Sequence, residues 1–89
     1  MISKYEVHIK TKYTLYELLN ILKTKGLAVD FSLKSGDCGE LMVKFPNINT
    51  VDVFDFKYYK HEDDMFVYEI GAKHKDCLAK MEEIANMLN

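Results

Sequence analysis

Strict alternation of apolar and polar residues is the feature that most constrains how this chain can fold. It is clearest from Leu27 to Lys34, where every second side chain is apolar. Successive side chains of a β-strand point to opposite faces of a sheet, so this pattern predicts a strand with one buried face. The same period recurs from Tyr5 to Ile9 and from Leu41 to Phe45. It recurs again in VDVFDFKYY (51–59) and MFVYEI (65–70), which makes five predicted strands.

Two other segments repeat apolar residues at helical spacing instead. Thr14 and Glu17 have the spacing of a capping box, which predicts a helix that begins there. Gly26 predicts that this helix ends near Lys25. A second apolar stripe begins at about Lys75 and runs to the last residues, so it predicts a closing helix. The predicted order of elements is therefore β-α-β-β-β-β-α, an α+β fold.

This order of elements limits how the strands can pair. A strand-helix-strand crossover returns strand two parallel to strand one, and three hairpin reversals then leave strand five antiparallel to strand one. The simplest sheet is therefore antiparallel, with strand order 2-3-4-5-1 and both helices packed on the face that carries the bulky residues. We expect residues 1–89 to form a single domain, because half of this length would not sustain a core of its own.

The element order and length resemble one repeat of the TATA-binding-protein fold, a resemblance that implies a curved sheet platform but no particular function. It makes a nucleic-acid-associated module one alternative function. The chain contains no arginine, the residue that most often reads guanine and phosphate. Acidic residues are also predicted on the exposed sheet face, namely Glu6, Asp30, Glu40, Asp55 and Glu69. Both observations disfavour a nucleic acid as the partner.

The composition of the chain also bears on its location and ligands. The opening residues MISKYEVHIK have no apolar signal core, and no apolar run is long enough to cross a bilayer. We therefore expect a cytoplasmic protein without membrane association. Cys38, in a glycine-flanked turn, and Cys77, in the second helix, are expected to be reduced thiols. No cofactor or small-molecule substrate is evident, because so small a core leaves little room for an enclosed pocket.

Four polar residues stand side by side between the last two predicted strands: His61, Glu62, Asp63 and Asp64. Consecutive side chains at a hairpin tip diverge, which prevents them from surrounding one ion. The segment also lacks the alternating acidic residues and the glycine that bend an EF-hand around calcium. We interpret it as a solvated turn and predict no metal site.

His74 and Cys77 lie three residues apart at the start of the second helix, a spacing that can place an imidazole beside a thiol. A thiol enzyme that uses these two residues is therefore a second alternative function. Cys77 falls within the apolar stripe, however, and free cysteine is among the most buried residue types, which favours a core cysteine. With Cys38 the chain offers three soft ligands but no evident fourth, so a structural zinc site is not predicted.

Small apolar residues are predicted on the sheet face opposite the helices. They are Met42, Val51, Val53, Met65 and Val67, with charged residues beside them. A contiguous apolar patch with a charged rim is typical of a surface for a protein partner or for self-association. The leading prediction is therefore a small non-catalytic binding protein, not an enzyme, that contacts a protein partner or a second copy in a homodimer through this face.

Overall fold

The computed structural model describes residues 4–88 and shows the predicted order of elements. The strands are β1 (Tyr5–Thr11), β2 (Ala28–Ser35), β3 (Cys38–Lys44), β4 (Asp52–Glu62) and β5 (Met65–Ala72). Helix α1 (Leu15–Thr24) joins β1 to β2, and helix α2 (Leu78–Leu88) follows β5 after a short 3-10 helix (Lys75–Cys77).

The strands form one antiparallel sheet in the order β1-β5-β4-β3-β2, which confirms the predicted α+β topology. The chain reverses at short turns from β2 to β5, and β1 pairs with β5 along its whole length. In that pairing Tyr5 lies opposite Ala72 and Thr11 lies opposite Phe66. The first strand therefore forms one edge of the sheet, and β2 forms the other edge.

Both helices pack on one face of the sheet, as predicted. Helix α2 lies on β1, helix α1 lies on β2, and the two helices contact each other. The strands contribute alternate residues to the core that the helices cover, and the largest fully buried side chains are Phe54, Ile9, Leu18, Leu22, Leu41, Ile70, Met81, Ile84 and Val43. One face of the sheet therefore carries the hydrophobic core of the described residues.

Helix α1 begins and ends at the predicted positions. The backbone N–H of Glu17 donates to Thr14 Oγ1 at 3.4 Å, and the backbone N–H of Thr14 donates to Glu17 Oε1 at 3.0 Å. This reciprocal pair is the predicted capping box. At the other end Gly26 has a φ of 99°, a left-handed conformation that is accessible to glycine without steric cost.

The aromatic face of β4 is covered less completely than the sequence suggests. Phe54 and Phe56 are buried as expected, but Tyr58 is 36 % exposed. It lines a shallow depression together with Phe31 and with Leu15, the first residue of α1. Tyr58 is therefore only partly covered, although it lies on the face that carries the bulky residues.

Residues 4–88 contain no helix that is long and apolar enough to cross a membrane.

Gly39 in β3 lies under the ring of Phe31 on the helix-covered face. A Cβ atom at this position would meet that ring and, at 2.5 Å, the carbonyl oxygen of Ser32. The Phe31 ring also makes an edge contact with Phe56, with ring centroids 6.1 Å apart. The absence of a side chain at Gly39 therefore lets an aromatic side chain cross the β2–β3 hairpin and join the core.

We predict that Gly39→Ala lowers the free energy of unfolding by about 1 to 3 kcal/mol, because a backbone carbonyl cannot move away as a side chain can. Chemical denaturation followed by circular dichroism measures this change. Ser32→Ala in the neighbouring strand is the control, and it should change stability by less than about 0.5 kcal/mol. Equal stability of Gly39→Ala and the parent protein would contradict the close packing described for this hairpin.

Candidate functional site

The sheet face opposite the helices, here called the open face, has no covering layer in residues 4–88. Because side chains alternate along each strand, the residues between the core positions all point to this face. In β1 these are Glu6, His8 and Lys10, and in β5 they include Val67 and Glu69. The open face is therefore a mixture of charged and small apolar side chains.

The five residues of the predicted apolar patch lie on the open face but do not form one patch. Met42 and Val53 lie opposite each other in β3 and β4, and Val51 precedes β4. Val51 is 58 % exposed and Val53 is 46 % exposed. Val67 lies opposite Lys60, and Met65 lies opposite Glu62, both at the far end of β4. The predicted contiguity is therefore wrong, and the patch is two separate groups.

Val67 is also buried, with only 5 % of its surface exposed. It lies between Lys10 of β1 and Lys60 of β4, both of which have long aliphatic stems. The expectation that Val67 offers an exposed contact is therefore wrong. Three of the predicted partner-binding residues are still accessible on this face, and we call them the valine group: Met42, Val51 and Val53.

Between the two apolar groups the open face has a groove of about 540 Å³. Gly71 of β5 forms part of its floor and lies opposite Glu6 of β1 on one side and Asp55 of β4 on the other. Asp55 in turn lies opposite Glu40 of β3. Three acidic residues therefore form one row across the sheet, namely Glu6, Asp55 and Glu40. Gly71, which has no side chain, lies between Glu6 and Asp55.

A second row of charged residues crosses the groove at Glu69. The Glu69 side chain is only 10 % exposed, and Lys57 Nζ lies 3.3 Å from its Oε2 atom. On the other side His8 Nε2 lies 3.5 Å from Glu69 Oε1. The remaining lysine of the groove, Lys34, lies 3.2 Å from Glu40 Oε1. Glu69 is therefore a nearly buried carboxylate that polar groups of its two neighbouring strands, β1 and β4, surround.

An irregularity in β4 places an aromatic ring beside this site. The pairing of β4 with β5 shifts between Tyr58 and Lys60, so Tyr59 is an additional residue in β4. Its ring stacks on His8 with a centroid distance of 5.2 Å, and Lys57 Nζ lies 5.9 Å from the ring centroid. β-Bulges often redirect a side chain in this way. Here the redirected Tyr59 ring packs against one side of the His8 imidazole.

The two carboxyl groups of Glu6 and Glu69 have pKa values shifted in opposite directions. A hydrogen bond with Glu69, burial and the charge of Glu69 raise the pKa of Glu6 above its ordinary value of 4.5. Burial acts to raise the pKa of Glu69, but hydrogen bonds with Glu6, Lys57 and His8 outweigh it and lower that pKa. Protonated Glu6 therefore donates to ionised Glu69 at mildly acidic pH.

We predict that an NMR titration of the carboxyl carbons shows Glu6 titrating above pH 4.5 and Glu69 titrating below it. Ionised Glu69 stabilises the fold above pH 4.5, and this contribution is lost as the pH falls through its lowered pKa. Protonated Glu6 also stabilises the fold, and this contribution is present below pH 4.5 and is lost as the pH rises through its raised pKa. In Glu69→Gln the pKa of Glu6 should move back towards 4.5. An unchanged pKa of Glu6 in that variant would contradict the coupling.

The described residues contain one group of three side chains that could bind a metal ion: Glu6, His8 and Glu69. Their ligand atoms lie within 4.8 Å of one another. One imidazole nitrogen and two carboxylates are a donor set that zinc, manganese or iron accepts. Lys57 already supplies a positive charge to Glu69, however, so the carboxylate is neutralised without an ion. That this protein functions without a bound metal ion stays a prediction.

The acidic segment that the sequence presents as a candidate site is a hairpin turn. Asp63 and Asp64 form its two-residue loop, with φ values of 55° and 60°. Lys10 Nζ lies 2.7 Å from Asp63 Oδ2, and the Glu62 carboxylate contacts Lys10 and Lys60. The carboxylates of Glu62 and Asp63 therefore pair with lysines at the end of the strands.

A backbone hydrogen bond joins His74 and Cys77, the two residues of the alternative thiol enzyme. The Cys77 N–H donates to the His74 carbonyl at 3.1 Å, where the 3-10 helix begins. Cys77 packs partly against the core, and His74 is exposed. Cys38 lies at the start of β3 and not in the turn where it was predicted, although it is exposed as expected and lines the groove.

The sequence places Glu6 and Glu69 on the exposed face but does not show that they meet in the groove. No turn connects β1 to β5 and fixes the register between them. The available signal was the pairing of β1 with β5, which the topology predicts. Sliding these two strands to match the apolar residues on the core face would have placed Glu69 beside His8.

Comparisons of the chain with protein-family models, curated proteins and solved structures find no match.

Proposed function

We propose that this chain is a non-catalytic binding protein that contacts a protein partner through the open face of its sheet. The supporting observation is the asymmetry of the sheet, because both helices cover one face and no described element covers the other. Val51 and Val53 of the valine group are accessible on that open face. Exposed apolar side chains that adjoin a charged groove fit a surface with an apolar centre and a polar rim.

The position of the valine group favours a flat contact surface for a protein over an enclosed site for a small molecule. Met42, Val51 and Val53 lie on or beside two adjacent strands, so a partner can approach all three from one direction. Strands hold these side chains more rigidly than loops would, and a rigid surface loses less conformational entropy on binding. Methionine adds a flexible side chain that adapts to an irregular partner.

Two features of the chain favour this function over the alternatives. The open face carries the acidic row of Glu6, Asp55 and Glu40, which would repel a phosphate backbone. Cys77 packs partly against the hydrophobic core, which favours a structural role for this residue. Both cysteines are free, which fits the reducing conditions of the cytoplasm.

We predict that Val53→Lys weakens partner binding or self-association by at least tenfold and leaves the monomer folded. A lysine at this exposed position is solvated in the free protein but loses its hydration in an interface. Sedimentation velocity measures self-association, and affinity capture from the native host measures binding to another protein. Circular dichroism of the same variant verifies the fold.

Phe56→Lys is the contrasting variant on the covered face. Phe56 is 4 % exposed within the core, so a buried ammonium group there should unfold the chain. Val67→Lys should also destabilise the fold, because Val67 is buried although it belongs to the open face. If Val53→Lys leaves every detected association unchanged, the open face is ordinary surface and the proposed function is wrong.

A further inference from the structure

Strand β2 forms an edge of the sheet that no other described strand covers. It pairs with β3 on one side and is the last strand in the order β1-β5-β4-β3-β2. The backbone N–H of Phe31 donates to Asp30 Oδ1 at 2.9 Å, so this N–H points away from β3. Backbone groups of successive residues point to opposite sides of a strand, so those of Leu33 point outward as well. An outward row of N–H and C=O groups can pair with a further strand.

The side chains of β2 are accessible along the whole strand. None of its eight residues is buried, whereas β1 at the other edge has two buried residues, Ile9 and Thr11. Leu33 is 64 % exposed, more than any other large apolar side chain of the described strands. A further strand at this edge would therefore remove apolar surface of Leu33 from water, which favours the pairing.

The sequence of β2 is complementary to itself when two copies run antiparallel. With Ser32 opposite Ser32 of the second copy, Asp30 lies opposite Lys34 at both ends of the pairing. Phe31 lies opposite Leu33, again at both ends. Phe31 and Leu33 are also the residues whose backbone groups point outward, so the two copies can exchange hydrogen bonds there. This register therefore joins two pairs of opposite charge and two apolar pairs.

Other registers lose the charge pairing. A shift by two residues is the smallest that keeps the outward backbone groups opposite each other. It places Ser32 opposite Asp30 in one direction and opposite Lys34 in the other direction, so both ion pairs are lost. The charges of β2 therefore select the register that is centred on Ser32.

The two charged residues lie on the same face of the sheet, as this pairing requires. Asp30 lies opposite Met42 on the open face. Lys34 Nζ lies 3.2 Å from Glu40 Oε1, and Lys34 lines the groove of that face. An ammonium group has three N–H donors, so Lys34 can donate to Glu40 and to Asp30 of the second copy together. Asp30 then exchanges its bond with the Phe31 N–H for this ion pair, and the N–H becomes available to the second copy.

The opposite edge of the sheet is a poorer fit for a second copy. Antiparallel self-pairing of β1 about its centre would place Val7 opposite Ile9. Ile9 is 0 % exposed, so a second copy would cover no further surface of it. Lys10 Nζ of β1 also lies 2.7 Å from Asp63 Oδ2 of the same chain. The apolar surface that a further strand would cover is therefore at β2.

We propose that two copies of this chain form a homodimer in which their β2 strands pair antiparallel about Ser32. The pairing joins the two five-stranded sheets into one continuous sheet. This inference goes beyond the proposed function, because it concerns the edge of the sheet and leaves the valine group uncovered. Residues 30–34 of each copy form the pairing. So short an interface buries less than the roughly 1,200 to 2,000 Å² of a standard complex, so the dimer should be weak and dependent on concentration.

Two charge reversals test this pairing by sedimentation velocity over a range of protein concentrations. Asp30→Lys places two positive charges opposite each other at both ends of the pairing, and Lys34→Asp places two negative charges there. Each variant alone should therefore self-associate about tenfold more weakly than the parent chain. An equimolar mixture of the two variants should associate like the parent chain, because each lysine then lies opposite an aspartate.

Glu82→Lys is the matched control. It changes the net charge by the same amount as Asp30→Lys, at an exposed position of helix α2, and it should leave self-association unchanged. Circular dichroism verifies the fold of each variant. The inference is wrong if the parent chain shows no self-association at the highest concentration at which it stays soluble. Equal weakening in Glu82→Lys, or a mixture of the two charge reversals that does not associate, would overturn it as well.

Val53→Lys separates this inference from the proposed function. If self-association is lost in Val53→Lys and kept in Asp30→Lys and Lys34→Asp, a second copy binds the open face and the pairing of β2 strands is wrong. If Val53→Lys self-associates like the parent chain and the two charge reversals do not, the pairing of β2 strands is correct. The proposed function then depends on whether Val53→Lys loses its binding to another protein.

Discussion

The pairing of β1 with β5 is the interaction on which the rest of this structure depends. It joins the first strand of the chain to the last, because Tyr5 lies opposite Ala72. Without this pairing β5 would be an exposed edge, and β1 would have no partner in the sheet. Helix α2 packs on β1, so the same pairing also gives the closing helix its place in the core. Because the paired residues are more than 50 positions apart in the sequence, closing the chain between them costs conformational entropy.

The same pairing assembles the candidate site. Glu6 and His8 come from β1 and Glu69 comes from β5, and the antiparallel register places His8 opposite Glu69. The side chains of core residues such as Ile9 and Ile70 fix this register, because a shift by one residue would turn them to solvent. The hydrophobic core on one face thus determines which charged groups meet on the other face. Stability and the geometry of the groove are therefore coupled through one strand pair.

The architecture was predictable from the sequence because local patterns determine most of it. Alternation in the strands, the capping box at Thr14 and the glycine at the end of α1 each act over a few residues, and the structure confirms the elements that they predict. The hairpin rules then give the strand order. These signals require no knowledge of which side chains meet across non-adjacent segments.

The details of the open face were less predictable because they depend on register. The bulge at Tyr59 shifts the pairing of β4 with β5, and the length of β4 separates Val53 from Val67. Local periodicity gives the face of each residue but not its position along the sheet. The burial of Val67 between two lysines and the meeting of Glu6 with Glu69 follow from such positions.

The central proposal is that the open face, and not the shallow depression at Tyr58 on the opposite face, is the surface that binds the protein partner. Sedimentation velocity and affinity capture of two charged variants, Val53→Lys and Tyr58→Lys, test it most directly, because both positions are exposed but lie on opposite faces of the sheet. The account predicts that Val53→Lys loses the association with the partner and that Tyr58→Lys keeps it. Loss of that association in Tyr58→Lys, with Val53→Lys unchanged, would contradict it.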